Sequence, residues 1–359
     1  MFRTSVGRRT FPVDRCFLSR KSAAAVIPGD GYWDDLLRPF VLPESHKAFF
    51  RSGWSVRPDG TEKISHPYGR KHSMKNLIKI LALVLVACTL MCLIVSCGGK
   101  KPVLLAVSFG SSYNETRDAT IGAVENALKA AYPEYDVRRA FTSQIVIDIL
   151  EEREGMEIDN MTEALDRLVA DGVKEVVVQP THVMPGFEYD DVMAEIAKYE
   201  SKFDSIKVGL PLLSSDADYT ALISALTEKT ASYNTDGTAV VFMGHGTHHE
   251  ANSTYANLQQ KLNDAGYANY FIGTVEAEPS LDTVLAAVQA TDAKKVVLLP
   301  LMIVAGDHAT NDMAGDEEGS WKDVFTKAGY EVECVLMGLG EYEGVQKILV
   351  DHAAAVIGK

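Results

Sequence analysis

From Lys101 onward, short apolar runs alternate with segments of helical periodicity. The first four runs are PVLLAVSFG, YDVRRAFTS, KEVVVQPTHV and SIKVGLPLL. After the polar stretch ASYNTDGT at 231–238, four more follow: TAVVFMGHG, ANYFIGTVEAEP, KKVVLLPLMIVAG and YEVECVLMGLG. Between runs, segments such as TRDATIGAVENALKAAY place Ile121, Val124 and Leu128 on one helical face. This pattern predicts an α/β fold with parallel strands.

The two series of runs form an internal repeat with a period of about 120 to 135 residues. Superposing the series pairs Phe109 with His245, Ser143 with Glu276, Pro180 with Pro300, Gly186 with Gly306, and Glu188 with His308. A period this long is typical of two similar domains and not of a solenoid. We therefore predict two pseudosymmetric domains, 98–233 and 234–359, each with a parallel four-stranded sheet.

Four polar residues lie just past the ends of predicted strands: His245, Glu276, Glu188 and His308. Ligands of open parallel sheets bind outside the carboxyl ends of the strands. Two similar domains that face each other would bring these four side chains to one interdomain cleft. The repeat thus predicts that these residues, which are distant in sequence, form one site.

The residue types of this predicted site suit a metal ion. Two histidines, His245 and His308, with the carboxylate of Glu276 form a ligand set that accepts Co²⁺, Fe²⁺, Ni²⁺ or Zn²⁺. Asp307, beside His308, is placed to orient a ring or to raise its basicity. No HExxH spacing is present, and GHG alone equally fits a turn whose histidine caps the next helix.

The other histidines have weaker claims. His248 and His249 are expected to be solvent-exposed or to line a substrate site, and not to ligate a metal. His182, in PTHVMPG, either lines the same cleft or is a polar residue satisfied at the end of a strand. His352 lies in a predicted C-terminal helix and is most simply structural.

Two enzyme classes lack their motifs. No GxxxxGK[ST] loop is present to hold ATP phosphates, so ATP-driven chemistry is disfavoured. SFGSS at 108–112 lies between a strand and a helix, where backbone N–H groups and hydroxyls bind anions, but the GxSxG elbow of many hydrolases is missing.

Residues 74–96 have the pattern of a secretory signal peptide. Lys75 and Lys79 precede a long apolar stretch, and a small residue lies just before Cys97, as in a bacterial lipobox. This pattern predicts lipidation of Cys97 and an exported, periplasmic, membrane-anchored lipoprotein. A transmembrane anchor is the alternative, because the stretch is long enough to span a bilayer. Residues 1–73, which precede the signal, are interpreted as a disordered, over-extended N-terminus.

The mature part of the chain is strongly acidic. Residues 97–359 hold 20 Lys and Arg against 42 Asp and Glu, which disfavours nucleic acid as a partner. Of the five cysteines only Cys97 and Cys334 remain there, and an acylated Cys97 cannot pair. The predicted exported domain is therefore stabilised by its core and not by disulfides.

Several of these motifs together resemble the small class II metal chelatases, specifically the anaerobic sirohydrochlorin cobaltochelatases of the CbiK type. The similar segments, between 101 and about 340, are VSFGSSYNET, RAFTS, GLPLLSS, VFMGHG, GTVE and PLMIVAGDHATNDMAGDEEGSWK. The resemblance implies two Rossmann-like domains with a tetrapyrrole in the cleft between them. It also implies ATP-independent insertion of Co²⁺ into sirohydrochlorin, a step of anaerobic cobalamin biosynthesis.

Residue by residue, the resemblance implies that His245, Glu276 and His308 bind the metal. We expect His245, with Glu188 and His308, to be catalytic, since a base must remove the pyrrole protons. The expected substrate-binding residues are Ser108, Phe109, Gly110, Ser111, Ser112, His182 and Met184. Arg138 and Arg139 are weaker candidates for binding peripheral carboxylates, and a polyanionic substrate calls for a cleft less acidic than the rest of the domain.

Most members of that family are cytoplasmic, whereas this chain is predicted to be exported. Export favours an alternative function, an exported lipoprotein that binds haem, another tetrapyrrole or a metal ion for uptake and not for catalysis. The sequence leaves the oligomeric state open, and a homo-oligomer is compatible with it.

Overall fold

A computed structural model describes residues 100–358 of the protein. In this range the eight apolar runs form eight strands, each shorter than its run. The strands are β1 Val103–Ser108, β2 Asp136–Phe141, β3 Glu175–Pro180, β4 Ser205–Val208, β5 Thr238–Gly244, β6 Tyr270–Thr274, β7 Lys295–Pro300 and β8 Glu331–Cys334. The runs extend beyond the carboxyl ends of the strands, where the chain leaves the sheet and forms loops.

The strands form two parallel four-stranded sheets of identical topology. The first has the order β2-β1-β3-β4 and the second the order β6-β5-β7-β8. All six residues of β1 and all seven of β5 are buried, as expected for central strands covered on both faces. The predicted α/β fold with two parallel four-stranded sheets is confirmed.

Helices connect the strands, and several begin at side chains that cap them. Asn160 with Glu163, and Ser215 with Asp218, form reciprocal capping boxes at the starts of α3 and α5. The helices of the described range are α1 Asn114–Ala131, α2 Gln144–Glu154, α3 Met161–Ala170, α4 Phe187–Ala197, α5 Asp216–Lys229, α6 Ser253–Asp264, α7 Leu281–Gln289, α8 Trp321–Lys327 and α9 Glu343–Ile357. Short 3₁₀ segments and one π-helical turn, Ala309–Met313, complete the chain.

The strand register agrees with the internal repeat found in the sequence. Val107 in β1 is paired with Pro180, and Met243 in β5 is paired with Pro300. Ser108 is likewise paired with Phe141, and Gly244 with Thr274. Counting forward from these pairs places Phe109 at the position of His245, Ser143 at that of Glu276, and Glu188 at that of His308.

The two halves are joined by a shared hydrophobic cluster, in addition to clusters within each half. A single cluster of buried side chains runs from Leu104 and Leu128 in the first half to Phe242 and Leu349 in the second. The C-terminal helix α9 follows the second sheet in sequence but packs against α1, α5, β3 and β4 of the first half. Tyr132 reinforces this contact, because its hydroxyl donates a 2.7 Å hydrogen bond to the carbonyl oxygen of Val350 in α9.

The predictions for residues 1–73, for the signal peptide at 74–96 and for lipidation at Cys97 fall outside the described residues. Between residues 100 and 358, no helix is both long enough and apolar enough to cross a membrane.

Close backbone contact holds the 3₁₀ turn Leu339–Glu341 against α1, and this gives a stability prediction. A Cβ added at Gly340 would lie 2.8 Å from Thr120 Cβ and 2.9 Å from two Thr120 backbone atoms. We expect Gly340→Ala to lower the free energy of unfolding by about 1–3 kcal/mol, because the backbone of α1 cannot move aside freely.

Gly122→Ala, within α1, is the matched control. Its added Cβ would have Arg117 O at 3.8 Å as its neighbour, an ordinary contact, so we expect a gain of up to about 1 kcal/mol from helix propensity. Urea unfolding followed by circular dichroism measures both changes. Equal effects of the two substitutions would contradict the proposed close contact.

Candidate functional site

The carboxyl ends of the two sheets border a cleft of about 560 Å³. The residues predicted to bind the metal, to act in catalysis or to bind the substrate line it, from both halves of the chain, with the exception of the weaker candidates Arg138 and Arg139. Those that line it are Ser108, Phe109, Gly110, Ser111, Ser112, His182, Met184, Glu188, His245, Glu276 and His308. The structure therefore brings these residues together, while the role of each stays a prediction.

Three neighbouring strands of the second sheet bring His245, Glu276 and His308 together. One ligand atom from each lies within 4.8 Å of the other two, and no other group of three or more His, Cys, Asp or Glu side chains in residues 100–358 is as close. The imidazole rings of His245 and His308 meet edge to face at 4.6 Å between centroids. His245 Nδ1 lies 3.5 Å from Glu276 Oε2.

Glycines on both sides of His245 allow this approach. A Cβ on Gly244 would clash with the buried ring of Tyr255 at 2.2 Å. Gly246 has φ +88°, and a Cβ there would lie 2.8 Å from the backbone N of Ala277, in the segment that carries Glu276. The backbone N–H of Glu276 donates to the carbonyl oxygen of His245 at 2.9 Å. The GHG sequence is thus required for close backbone approach, and not only for a turn.

Hydrogen bonds leave one nitrogen of each histidine free for a metal. His245 Nδ1 lies 3.0 Å from the carbonyl oxygen of Gly246, which can only accept, so Nδ1 carries the proton and Nε2 the lone pair. His308 Nδ1 lies 2.6 Å from Asp312 Oδ2 and likewise leaves Nε2 free. A carboxylate that holds a histidine in this way is typical of metal sites, because it fixes the ring and increases its basicity.

The exposure of the three ligands suits a loosely held ion. Ligand atoms bound to one ion at about 2.1 Å lie no more than about 4.2 Å apart, and the three ligand atoms here lie within 4.8 Å of one another. The side chains of His245 and Glu276 are 49% and 53% exposed, so an ion there is open to the cleft on one side. Three protein ligands with open positions are the arrangement of a reactive and not of a structural site.

A histidine and a carboxylate of the first half face this cluster. His182 is only 9% exposed, and neither of its ring nitrogens has a hydrogen-bond partner. Burial lowers the pKa of His182 to about 4, so the ring is neutral at pH 7. Its Nε2 lies 3.5 Å from Glu188 Oε2. Burial also raises the pKa of Glu188, which nearby His245 opposes and Asp191 reinforces.

The SFGSS loop at 108–112 occupies the end of β1. Gly110, with φ +104°, is required there because a Cβ would lie 2.7 Å from the ring of Phe141. Thr181 donates a 2.8 Å hydrogen bond to the buried hydroxyl of Ser108, which is therefore engaged within the protein. Phe109 is 48% exposed and offers an apolar ring at the position that His245 holds in the other half.

The expectation for Arg138 and Arg139 is wrong. Both lie on edge strand β2, where Arg138 pairs with Asp136 and Asp171, and Arg139 pairs with Glu125 in α1. Neither lines the cleft. Strand β2 continues past both arginines to Phe141, so their side chains lie on the faces of the sheet and not at its carboxyl edge.

The expectation that the cleft is less acidic than the rest of the domain is also not met. The described residues that line the cleft include the carboxylates Glu188, Glu276 and Asp307 but no lysine or arginine. Two arginines lie behind the SFGSS loop: Arg117 donates a hydrogen bond to the carbonyl oxygen of Ser111, and Arg153 donates to that of Ser112.

His248 and His249 stay outside the group of three ligands. His248 is exposed and lines the cleft. The expectation that His249 is solvent-exposed or lines a substrate site is wrong: its side chain is only 17% exposed, is absent from the cleft lining and contacts α4, with its ring 4.9 Å from that of Phe187 and its Nε2 3.3 Å from Asp190 Oδ2. His352 bridges Asp218 and the carbonyl oxygen of Leu210, in agreement with a structural role.

Several residues of the site were not predicted from the sequence. Asp312, which orients His308, had a detectable signal, because the two are four residues apart in a helical segment. Tyr113 donates a 3.2 Å hydrogen bond to Asp307 in the other half, and Phe187 exposes 56% of its surface in the cleft. The first depends on a contact between residues distant in sequence and the second on which surfaces stay uncovered, and neither left a local signal.

Comparison with known proteins gives consistent matches for the described part of the chain. The family model for cobalt chelatase (CbiK) matches residues 102–358. A sirohydrochlorin cobaltochelatase of Salmonella typhimurium is 39% identical over 252 residues, which cover 70% of this chain and 95% of that protein. The sirohydrochlorin cobaltochelatase CbiKC of Nitratidesulfovibrio vulgaris is 35% identical over 260 residues, covering 72% and 91%.

Among solved structures, SirB from Bacillus subtilis with Fe³⁺ has a similar fold. The TM-score is 0.50 at 16% identity, and the match covers 70% of this chain and 94% of that one. At this identity the likeness concerns the fold alone.

The hydrogen bond between Asp312 and His308 gives a prediction for metal affinity. We expect Asp312→Ala to weaken the binding of Co²⁺ by about 10- to 100-fold, because the His308 ring loses the hydrogen bond that orients it. Isothermal titration with Co²⁺ measures the change. Asp316→Ala, four residues further along the chain and paired with Lys322, is the control and should leave the affinity within about twofold. Equal affinities of the two variants would contradict a role for Asp312.

Proposed function

The chain belongs to the cobalt chelatase (CbiK) family, and on this basis we propose that it inserts Co²⁺ into sirohydrochlorin without ATP. The observation that carries the proposal is the group of His245, Glu276 and His308, open to a cleft large enough to admit a planar ligand. The names of the relatives from Salmonella typhimurium and Nitratidesulfovibrio vulgaris supply the substrate and the metal.

In the proposed reaction, Co²⁺ is a substrate that the protein holds briefly before transfer. Nε2 of His245 and of His308, with a carboxylate oxygen of Glu276, would bind it at one wall of the cleft. Exchange of the ion is favoured because the side chains of His245 and Glu276 are about half exposed. His and Glu ligands also accept Fe²⁺, Ni²⁺ and Zn²⁺, so the metal available in the cell decides among them.

Insertion also needs a proton acceptor, because a free tetrapyrrole loses two N–H protons as the divalent ion enters. Glu188 faces the metal ligands from the other half, and its raised pKa makes it a stronger base than an exposed carboxylate. His245, as a neutral imidazole, is the second candidate base once the ion leaves it. No phosphate-binding loop is needed for these steps, consistent with a reaction without ATP.

The opposite wall suits the macrocycle. Phe109 and Phe187 expose apolar rings to the cleft, and Met184 adds an adaptable apolar surface. Backbone N–H groups of the SFGSS loop, with the hydroxyls of Ser111 and Ser112, are the proposed donors to peripheral carboxylates. His182 completes this wall as a neutral imidazole.

We further propose that the protein is exported and anchored to the membrane through a lipid on Cys97. The basic start of the segment at 74–96, its apolar stretch and the small residue before Cys97 support this. Export would place the site away from cytoplasmic cobalamin precursors. That position favours, as the second candidate function, capture of haem or another tetrapyrrole for uptake.

The proposed activity is tested by mixing the purified protein with sirohydrochlorin and Co²⁺ and following the absorbance change of the macrocycle. We expect clear acceleration over the uncatalysed rate, and His245→Ala should lower the rate by about 10²-fold or more, because it removes both a ligand and a base. His248→Ala is the control, because it removes a histidine that lines the cleft but is not one of the three proposed ligands. We expect this variant to retain the affinity for Co²⁺.

No acceleration by the wild-type protein, or an equal rate with His245→Ala, would contradict the catalytic assignment. Haem titration of the same protein tests the second candidate. Stoichiometric haem binding without cobalt insertion would establish capture in place of catalysis.

Mass spectrometry of the protein isolated from its native membrane tests the anchor. The expected N-terminal residue is Cys97 carrying acyl chains, because a lipobox is cleaved directly before its cysteine. Cys97→Ser should abolish both the acyl mass and the membrane association. A mature chain that begins at Met1 would refute this proposal.

A further inference from the structure

A second cavity adjoins the cleft and shares Glu188 with it. This side cavity has a volume of about 330 Å³ and lies between helix α4 and the segments around β2 and the start of α3. The residues of its lining that matter here are Glu188, Asp191, Glu195, Thr142, Asn160 and Thr162. Because Glu188 borders both spaces, its side chain separates the side cavity from the wall of the cleft opposite the metal ligands.

The side cavity is lined by negative charge and neutral oxygen atoms. Glu188, Asp191 and Glu195 follow one another along a single face of α4, at spacings of three and four residues. No lysine or arginine is among the described residues that line it. The side chain of Asp191 makes no hydrogen bond or ion pair within residues 100–358. The side chain of Glu195, at the outer end, is paired with Lys198. Carboxylates and hydroxyls are suitable groups for contact with a hydrated divalent cation.

Unpartnered buried groups mark the inner end of this row of carboxylates. His182, which is 91% buried with no partner for either ring nitrogen, points its Nε2 toward Glu188 Oε2 at 3.5 Å. The hydroxyl of Thr142 in the cavity wall is also buried without a partner. Buried polar atoms in folded proteins nearly always have partners, so these atoms indicate a ligand that is present only part of the time.

The spacing indicates passage and not storage of a cation. Side chains three or four residues apart on a helix have Cβ atoms about 5–6 Å apart, which is wide for joint binding of one dehydrated ion. Accordingly, these carboxylates and His182 do not form a compact group of ligands like that of His245, Glu276 and His308. A row of separated carboxylates instead concentrates cations and allows a hydrated ion to move from one to the next.

We propose that the side cavity is the entrance for the divalent metal, which passes Asp191 and Glu188 to reach His245, Glu276 and His308 while the tetrapyrrole occupies the cleft. The inference rests on the proposed function, because a macrocycle in the cleft would block the direct path from solvent to these ligands. The cavity supplies a separate path whose inner end, Glu188, lies on the wall of the cleft itself.

The double variant Asp191→Asn, Glu195→Gln tests the route in the full-length protein. It removes two charges from the side cavity without changing shape, and leaves Glu188, His245, Glu276 and His308 in place. The matched control is Glu200→Gln, Asp204→Asn, which removes the same charge from exposed positions shortly beyond α4 that line neither cavity. Circular dichroism checks that both variants fold.

In steady-state insertion, we expect the double variant to raise KM for Co²⁺ on the order of tenfold at low ionic strength, because the local concentration of cations falls. KM for sirohydrochlorin and kcat at saturating Co²⁺ should stay within about twofold, as should all constants of the control. An unchanged KM for Co²⁺ overturns the route. So does a lower kcat with unchanged KM, which would make the cavity a path for departing protons.

A second measurement needs no catalytic activity. Stopped-flow mixing with Co²⁺, after the cleft has been filled with a metal-free tetrapyrrole that is not a substrate, gives the association rate of the ion with His245, Glu276 and His308 through quenching of the fluorescence of the macrocycle. The rate constant should fall on the order of tenfold in the double variant and not in the control, while Kd changes little. If the wild-type protein inserts no metal, the proposed function fails, and this rate still decides the route. Equal association rates overturn it.

Discussion

The hydrogen-bonded register of β5 with its two neighbours determines the site. Pairing of Gly244 with Thr274 and of Met243 with Pro300 aligns the ends of β6 and β7 with the end of β5. His245, Glu276 and His308 then leave the sheet at the same edge. A shift of one residue in either pairing would turn the side chains of that strand to the opposite face. The ligand group therefore depends on backbone hydrogen bonds more than on attraction among the three side chains.

The shared hydrophobic cluster determines what faces these ligands. Helix α9 follows the second sheet in sequence but packs on the first, and buried side chains from both halves form one cluster. Two contacts also join the two halves directly, from Tyr113 to Asp307 and from Asp190 to His249. The facing wall is consequently held at a defined distance, and Glu188 is close enough to His245 for its pKa to be affected.

The two halves have the same fold and different chemistry. Where the second half carries His245, Glu276 and His308, the first half carries Phe109, Ser143 and Glu188 at the equivalent positions. Ser143 accepts a hydrogen bond from Val146 N at the start of α2, and Phe109 exposes its ring to the cleft. The repeat thus provides a metal-binding wall opposite a wall suited to an apolar, planar ligand, with one carboxylate between them.

Much of this arrangement followed from the sequence alone. Buried parallel strands need continuous apolar runs, and those runs predicted the eight strands and the repeat. The glycines around His245 and the position of Glu276 after a strand predicted the residues that meet in the cleft, because parallel strands end at one edge of a sheet. Wherever the information lay in local periodicity or in the repeat, the sequence was sufficient.

Only the tertiary structure revealed contacts between distant segments. Three features depend on which surfaces meet, and local periodicity does not predict this. They are the packing of α9 on the first half, the hydrogen bond from Tyr113 to Asp307, and the lack of hydrogen-bond partners for the ring of His182 beside Glu188. For the same reason Arg138 and Arg139 were assigned to the wrong place, since composition does not reveal that neighbouring carboxylates already pair with them. Local sequence determines where a strand ends, whereas the burial and partners of a side chain are decided only when the whole chain packs.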